Sequence, residues 1–376
     1  MTGVRAPVDV WVAHPLSDAV RRSIDRLAST DDVVRVAVLP DVHLADQVCV
    51  GVAVATRAHL LPAAVGGDIG CGVSALAFDA LASVLDEPGV AAAVLAAMAS
   101  EVPVLCRPVA QALTLPTELD PDALSDPALR RWARREGPLE LGTLGRGNHF
   151  CELQEGDDGV LWLMVHSGSR GLGPQVRDHH LRSTGRGAAL VRLPAGSEAG
   201  RAYFADMSWA RSFARLSRRH MSETLASVVG ALIGATVRWE THIDCDHNHV
   251  VEERLSGEPL WVHRKGAISA QEGQPGIIPG SMGTWSFHVE GRGEARSLKS
   301  SSHGSGRELA RGEARRTITR RDLERQLQGV YYDAARADQL RDEAPSAYKD
   351  VAAVMRAQRD LTRIVRRLRP RLVYKG

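Results

Sequence analysis

Between residues 33 and 78 the short apolar runs VVRVAVL, VCVGVAV and VSALAF alternate with Pro, Gly and Asp, a spacing that predicts strands joined by turns. From about 80 to 140 the pattern changes. An Ala- and Leu-rich stretch predicts helix, and the Pro- and Asp-rich LPTELDPDALSDPALRRW predicts a surface excursion free to vary without harming a core. Within it GVAAAVLAAMAS (89–100) is too short to span a bilayer and reads as a buried helix. Strand-like pieces return between 141 and 170 around GTLGRGNHF and LWLMVHSGSRG, and a long helical period follows through MSWARSFARLSRRHMSETLASVVGAL. After THIDCDHNHVVEE come Gly- and Pro-rich segments, and then basic helices expected to run to Gly376. No repeat or low-complexity linker divides the chain, so the pattern predicts one α+β domain over 1–376, mixed sheets flanked by helices.

Composition narrows this picture. A chain of 376 residues with 44% hydrophobic content can bury a sizeable core. The opening MTGVRAPVDVWVAHP has neither a charged leader nor an apolar signal region, which predicts a cytoplasmic protein away from membranes. Five cysteines (49, 71, 106, 151, 245) form an odd set without a CxxC pair, which predicts free thiols. The formal charge of +2 does not itself point to nucleic acid, although arginines crowd the last quarter. Lysine is nearly absent: only Lys265, Lys299, Lys349 and Lys375 occur, which reads either as chance survival on the surface or as positions where a compact ammonium is not exchangeable for a guanidinium.

The candidate chemistry starts at PAAVGGDIGCGV, where Asp68 and Cys71 stand among four glycines that let both side chains turn to one point. His149 in GRGNHF, His166 in VHSGSRG and His247 in DCDHNH add three imidazoles in turn-like contexts. Carboxylate, thiolate and imidazoles make a mixed donor set for borderline divalent ions, enough for two metals bridged by the thiolate. Asp246 and His249 crowd His247 and stand as alternative ligands. In SSSHGSGRELARGEAR, His303 sits in a small-residue loop with Arg307, Arg311 and Arg315 at four-residue intervals, which predicts one helix face beside a phosphate site and a nucleophilic imidazole. The same segment also reads as a capped helix with a solvated basic face.

Taken in order, PDVH (40–43), GGDIGCGV (66–73), GTLGRGNHFCE (142–152), VHSGSRGLG (165–173), DHNHVVEE (246–253), VHRKGA (262–267), GQPGIIPGSMGT (273–284), HGSGR (303–307), AYKD (347–350) and the terminal KG resemble the RtcB family of RNA-splicing ligases. The resemblance implies a compact RtcB-like fold around a central cleft for metal and GTP. It implies ligation of RNA ends carrying a 2',3'-cyclic phosphate or 3'-phosphate to 5'-hydroxyl ends, through GMP bound to His303, by a protein expected to be a monomer. Asp68, Cys71, His149, His166 and His247 would hold two Mn²⁺ ions. Asn148, Glu152, Ser281, Ser286, Ser305, Gly306, Tyr348 and Lys375 would contact GTP, with Glu152, Ser286 and Lys375 reading guanine and Tyr348 stacking. Arg170 and Arg307 would face phosphates, and Asp41 would serve the first step.

One departure concerns the loop after PDVH, where LADQVCVG replaces the family's usual Gly-Tyr-Gly-type sequence and bears on substrate choice. Three alternatives stand beside ligation: an enzyme that caps 3'-phosphates of RNA or DNA with GMP, a binding paralogue without catalysis, and a generic metal-dependent hydrolase.

Overall fold

A computed structural model describes residues 5–182 and 190–376. In chain order its strands are β1 (Val8–Val10), β2 (Val33–His43), β3 (Val50–Thr56), β4 (His59–Leu60), β5 (Gly72–Leu81), β6 (Phe150–Gly156), β7 (Val160–Ser167), β8 (Leu193–Pro194), β9 (Val237–Asp246), β10 (Asn248–Leu255), β11 (Glu258–Lys265), β12 (Ala267–Ser269), β13 (Pro275–Ile278), β14 (Ser286–Gly291), β15 (Ser300–Ser302), β16 (Tyr331–Tyr332) and β17 (Thr362–Lys375). They form a five-stranded sheet, β1-β2-β3-β11-β10, a larger one, β13-β14-β17-β6-β7-β5-β9, with β16 against β17, and two two-stranded sheets, β4-β8 and β12-β15. Most pairs are antiparallel, with β1 parallel to β2 and β16 parallel to β17, so the architecture is the mixed α+β one that the pattern predicts.

Both faces of the larger sheet are buried. Leu161, Leu163 and Val165 of β7 join Met221, Leu225 and Val229 of the helix Glu198–Ile233 on one face. Trp162 and Met164 turn the other way, onto Ile277, Ile278 and Phe287. This period of two continues to His166, which therefore emerges on the Trp162 face. The long helix forms where expected. Ser197 caps its start by accepting from the Gly200 N–H, and Gly234, at φ +67°, ends it.

Two expectations are corrected. The basic tail does not stay helical to Gly376: after the short helix Val351–Ala357 the chain closes in the 14-residue β17. There Arg367 and Arg369 point outward while Leu368 and Pro370 are buried, a period of two that a count of charges conceals. The Ala-rich helix forms as Val90–Glu101, but it buries only Val94 and Met98 and leaves Ala92, Ala93 and Ala96 exposed. Alanine favours helix without needing burial. Elsewhere in 80–140, Leu119, Leu124, Leu129 and Trp132 pack with Trp209 and Phe213 of the long helix. Among the described residues no helix is long and apolar enough to cross a membrane, and all five cysteines are free.

Candidate functional site

Strand register assembles the site. β17, β6, β7 and β5 are neighbours, and their pairing sets Lys375 beside Phe150, Phe150 beside His166, and His166 beside Val73, two residues beyond Cys71. Four adjacent strands thus present their polar residues at one end of one face. The turn before β5 is anchored by Asn248, whose side chain donates to Asp68 O at 2.8 Å, while Gly70 N–H donates to Asn248 O at 2.8 Å. His247 N–H donates to Cys71 O at 2.8 Å, which fixes the β9–β10 corner to the same point. Gly168 completes the approach: a Cβ there would lie 2.1 Å from Asp68 Oδ1.

The five expected metal-ligating residues come together. Cys71 Sγ is 3.4 Å from His149 Nε2 and 3.3 Å from His166 Nε2, and Asp68 Oδ2 is 3.0 Å from His149 Nε2. Two groups result, Asp68–Cys71–His149 and Cys71–His166–His247, each with its donor atoms within 4.8 Å and both sharing Cys71. Burial, reinforced by neighbouring imidazoles, holds His166 and His247 well below the ordinary histidine range, so both are neutral donors. Burial opposes ionisation of Asp68, but the charge and hydrogen bond of His149 outweigh it and hold the carboxyl at about 2. Burial and then Asp68 push the Cys71 thiol well up. His166 Nδ1 lies 3.1 Å from Asn148 O, which orients its ring. His247 Nδ1 is buried without a partner among the described residues. The donor set, one carboxylate, one thiol and three imidazoles, fits a borderline divalent cation. The alternative ligands are occupied elsewhere: Asp246 takes Arg211, and His249 Nδ1 stands 3.0 Å from Asp246.

His303 follows β15 and faces this cluster, its ring 4.6 Å from that of His247. Its Nδ1 is 2.5 Å from Asp41 Oδ2, and its backbone N–H donates to the same oxygen at 3.0 Å. Asp41 is fully buried near the end of β2. Gly306, at φ +73°, closes over it, since a Cβ there would lie 2.3 Å from Asp41 O. No helix starts at His303; the helix begins at Arg311, and Arg307 lies ahead of it, in a bridge to Tyr348. The expected shared helix face is therefore replaced by a shared target: Arg307 and Arg311 pair with Glu343, and Arg311 and Arg315 with Asp342.

A cleft of about 590 Å³ joins these parts, lined by Asp68, Cys71, His166, His247 and His303 and by the expected Asn148, Glu152, Ser281, Ser305, Gly306, Arg307, Tyr348 and Lys375. Two expected contacts stand behind the wall. Ser286 Oγ is buried, accepting from Gly280 N–H at 3.1 Å and Gln154 Nε2 at 3.2 Å. Arg170 packs behind His149, with Nη1 3.5 Å from His149 Nδ1 and Nε donating to Thr143 Oγ1 at 3.3 Å. Arg307 lies over the Tyr348 ring at 4.9 Å and spends its donors on Leu309 O, Asp342 O, Glu343 and Tyr348, so it faces protein groups as much as the cleft.

Burial raises Glu152 to about 7 despite a 2.7 Å hydrogen bond from Gln154 and the nearby Lys375. Three of the four lysines stand at or near the cleft. Lys375 and Lys265 line the cleft, and Lys349 donates to Pro40 O and Val42 O at 3.1 and 2.5 Å, clamping the backbone around Asp41. Glu343, missed by sequence reasoning, accepts from Lys375 Nζ and Tyr348 Oη, each at 2.7 Å. Its signal was an Asp-Glu pair in an arginine-rich tail, five residues before Tyr348.

The family model for tRNA-splicing ligase RtcB matches residues 23–121 and 117–376. RNA-splicing ligase RtcB of Escherichia coli strain K12 is 34% identical over 414 residues, covering 100% of this chain and 99% of that protein. The tRNA-splicing ligases RtcB of Archaeoglobus fulgidus and Thermococcus kodakarensis are each 34% identical, over 65% and 68% of this chain and 61% and 63% of their own lengths. A match over nearly the whole chain, joined to the order of motifs that meet in this cleft, shows that the chain belongs to the RtcB family.

Proposed function

We propose that this chain is a GTP- and Mn²⁺-dependent ligase, acting in the cytoplasm as a monomer, that joins RNA 3'-phosphate or 2',3'-cyclic phosphate ends to 5'-hydroxyl ends. The observation that carries the reading is His303 tied through Nδ1 to buried Asp41 while its ring abuts His247 of the metal-capable cluster. A carboxylate only accepts, so the ring proton sits on Nδ1 and the Nε2 lone pair is free. Nε2 attacks the α-phosphorus of GTP, the bond to the β-phosphate oxygen breaks, and pyrophosphate leaves. Asp41 stabilises the positive charge that develops on the ring. An oxygen of the RNA 3'-phosphate, which at a cyclic end is first freed by water breaking the bond from phosphorus to the 2'-oxygen, then attacks the same phosphorus, the N–P bond breaks, and its electrons return to His303. The 5'-hydroxyl finally attacks the activated 3'-phosphate, losing its proton and expelling GMP.

Two Mn²⁺ ions held by Asp68, Cys71, His149, His166 and His247 would supply positive charge against the phosphate oxygens. Glu152 would accept from guanine N1 and N2, and Lys375 would donate to O6. Incubation with α-phosphate-labelled GTP and MnCl₂ should give an acid-labile label that is lost in His303→Ala and, through loss of metal, in Cys71→Ala. A label retained in His303→Ala sinks the nucleophile assignment.

One observation keeps the capping enzyme as a second reading: Ala45, Asp46 and Gln47 of the altered loop line the cleft. Capped strands that accumulate without joining to a 5'-hydroxyl partner would decide for it.

A further inference from the structure

Glu343 ends the short turn Arg341–Glu343, and its side chain is 4% exposed. Oε2 accepts from Lys375 Nζ and from Tyr348 Oη, each at 2.7 Å. Oε1 accepts from Arg307 Nη1 at 3.1 Å and from Arg311. Two of these donors belong to the residues that flank the base in the reading above. Lys375 comes from the end of β17, and its Nζ stands 5.6 Å over the Phe150 ring. A lysine stem has several rotatable bonds and does not choose one direction unaided. Here a single carboxylate chooses it and also fixes the phenol of Tyr348.

Resting on the guanine-reading role proposed for Glu152 and Lys375, we propose that Glu343 is the positioning residue of the base pocket, setting Lys375 and Tyr348 so that guanine is taken and adenine refused. The ammonium has three donors. One is spent on Glu343, which leaves the others for an acceptor such as guanine O6, whereas the adenine amine offers a donor at the same edge. Glu343 also keeps Lys375 from collapsing onto Glu152, the buried carboxylate near enough to feel its charge. Such a collapse would remove the acceptor for guanine N1 and N2 and the donor for O6 together. A node that only braced the tail would matter for folding and would not separate the two bases.

The test is calorimetric titration of the manganese-loaded full chain with GMP and with AMP, which carry no leaving group and undergo no transfer. Glu343→Gln should lower the preference for GMP about tenfold or more, chiefly through lost GMP affinity. Glu343→Asp, which keeps the charge and retracts the oxygens, should give a smaller loss of the same sign and serves where the amide variant does not fold. An undiminished preference, or equal weakening of both nucleotides, overturns the proposal alone. A wild-type protein with no preference removes the guanine reading and this inference with it, while His303 labelling reports on the reaction independently.

Discussion

At the scale of single residues, the proposed nucleophilic role of His303 turns on its tautomer, and the contact with Asp41 favours the one with its proton on Nδ1. Asp41→Asn replaces an obligatory acceptor with an amide that can also donate, which admits the ring with its proton on Nε2, where no lone pair remains for phosphorus. Labelling of His303 should slow by about 10²-fold or more, with manganese content unchanged; labelling at the wild-type rate would remove Asp41 from the reaction. The candidate ligand residues were legible because each carries a local mark: Asp68 and Cys71 among glycines, His149 next to Asn148 at the start of a strand, and His166 two residues before Gly168 at the end of one. Glu343 was not, because its partners lie 5 to 36 positions away and meet only in three dimensions. Ser286 illustrates the opposite error. A motif position can be right while the side chain works from behind, here holding Gly280 and Gln154.

At the scale of elements, the long helix is fastened to the metal-capable turn by Arg218. This buried guanidinium donates to Gly70 O at 2.6 Å and Ser167 O at 3.0 Å, and grips Asp244 of β9 at 2.7 and 2.9 Å. One side chain therefore ties helix, turn, β7 and β9. Arg218→Met should destabilise the protein by about 3–5 kcal/mol, since Asp244 and two carbonyls lose their donor, and should weaken metal uptake as the turn loosens. Arg218→Met combined with Asp244→Leu should recover part of the stability and none of the metal affinity; a single variant with wild-type urea midpoint and metal affinity contradicts the tie. The helix itself was legible from its period and its caps. The closing strand was not, because β17 alternates outward arginines with buried Leu368 and Pro370, and its neighbours β14 and β6 lie about 80 and about 210 positions upstream.

At the scale of the whole molecule, the fold buries histidines that must stay neutral, and this sets its response to acid. His263 of β11 is fully buried, with Leu61 N–H donating to its Nε2 at 2.9 Å and its Nδ1 3.3 Å from Val54 O. Both nitrogens are therefore committed in the neutral ring, and a second proton would face an N–H. Burial lowers His263 to about 4, and burial with the nearby Arg366 lowers His288 to about 3. Both folded values lie below the unfolded value near 6.5, so below that pH the unfolded chain takes up protons that the folded chain refuses. Stability should thus be full above about pH 6.5 and fall as pH drops, by about 1.4 kcal/mol per pH unit for each histidine. The depressed carboxyls of Asp68 and Glu343, near 2, act only further down, below the ordinary carboxylate range of about 4. Urea unfolding of metal-free protein between pH 7 and 5 should show this slope, to which His166 and His247 also contribute and which Glu152, raised to about 7, offsets by about one proton. His263→Gln removes one titrating ring and keeps an acceptor for Leu61, so it should be less stable at pH 7 but lose stability with acid more slowly, by about one proton's worth of slope. An unchanged slope in that variant would mean that His263 protonates in the folded protein as freely as in the unfolded chain, and that its two hydrogen bonds do not hold the ring neutral.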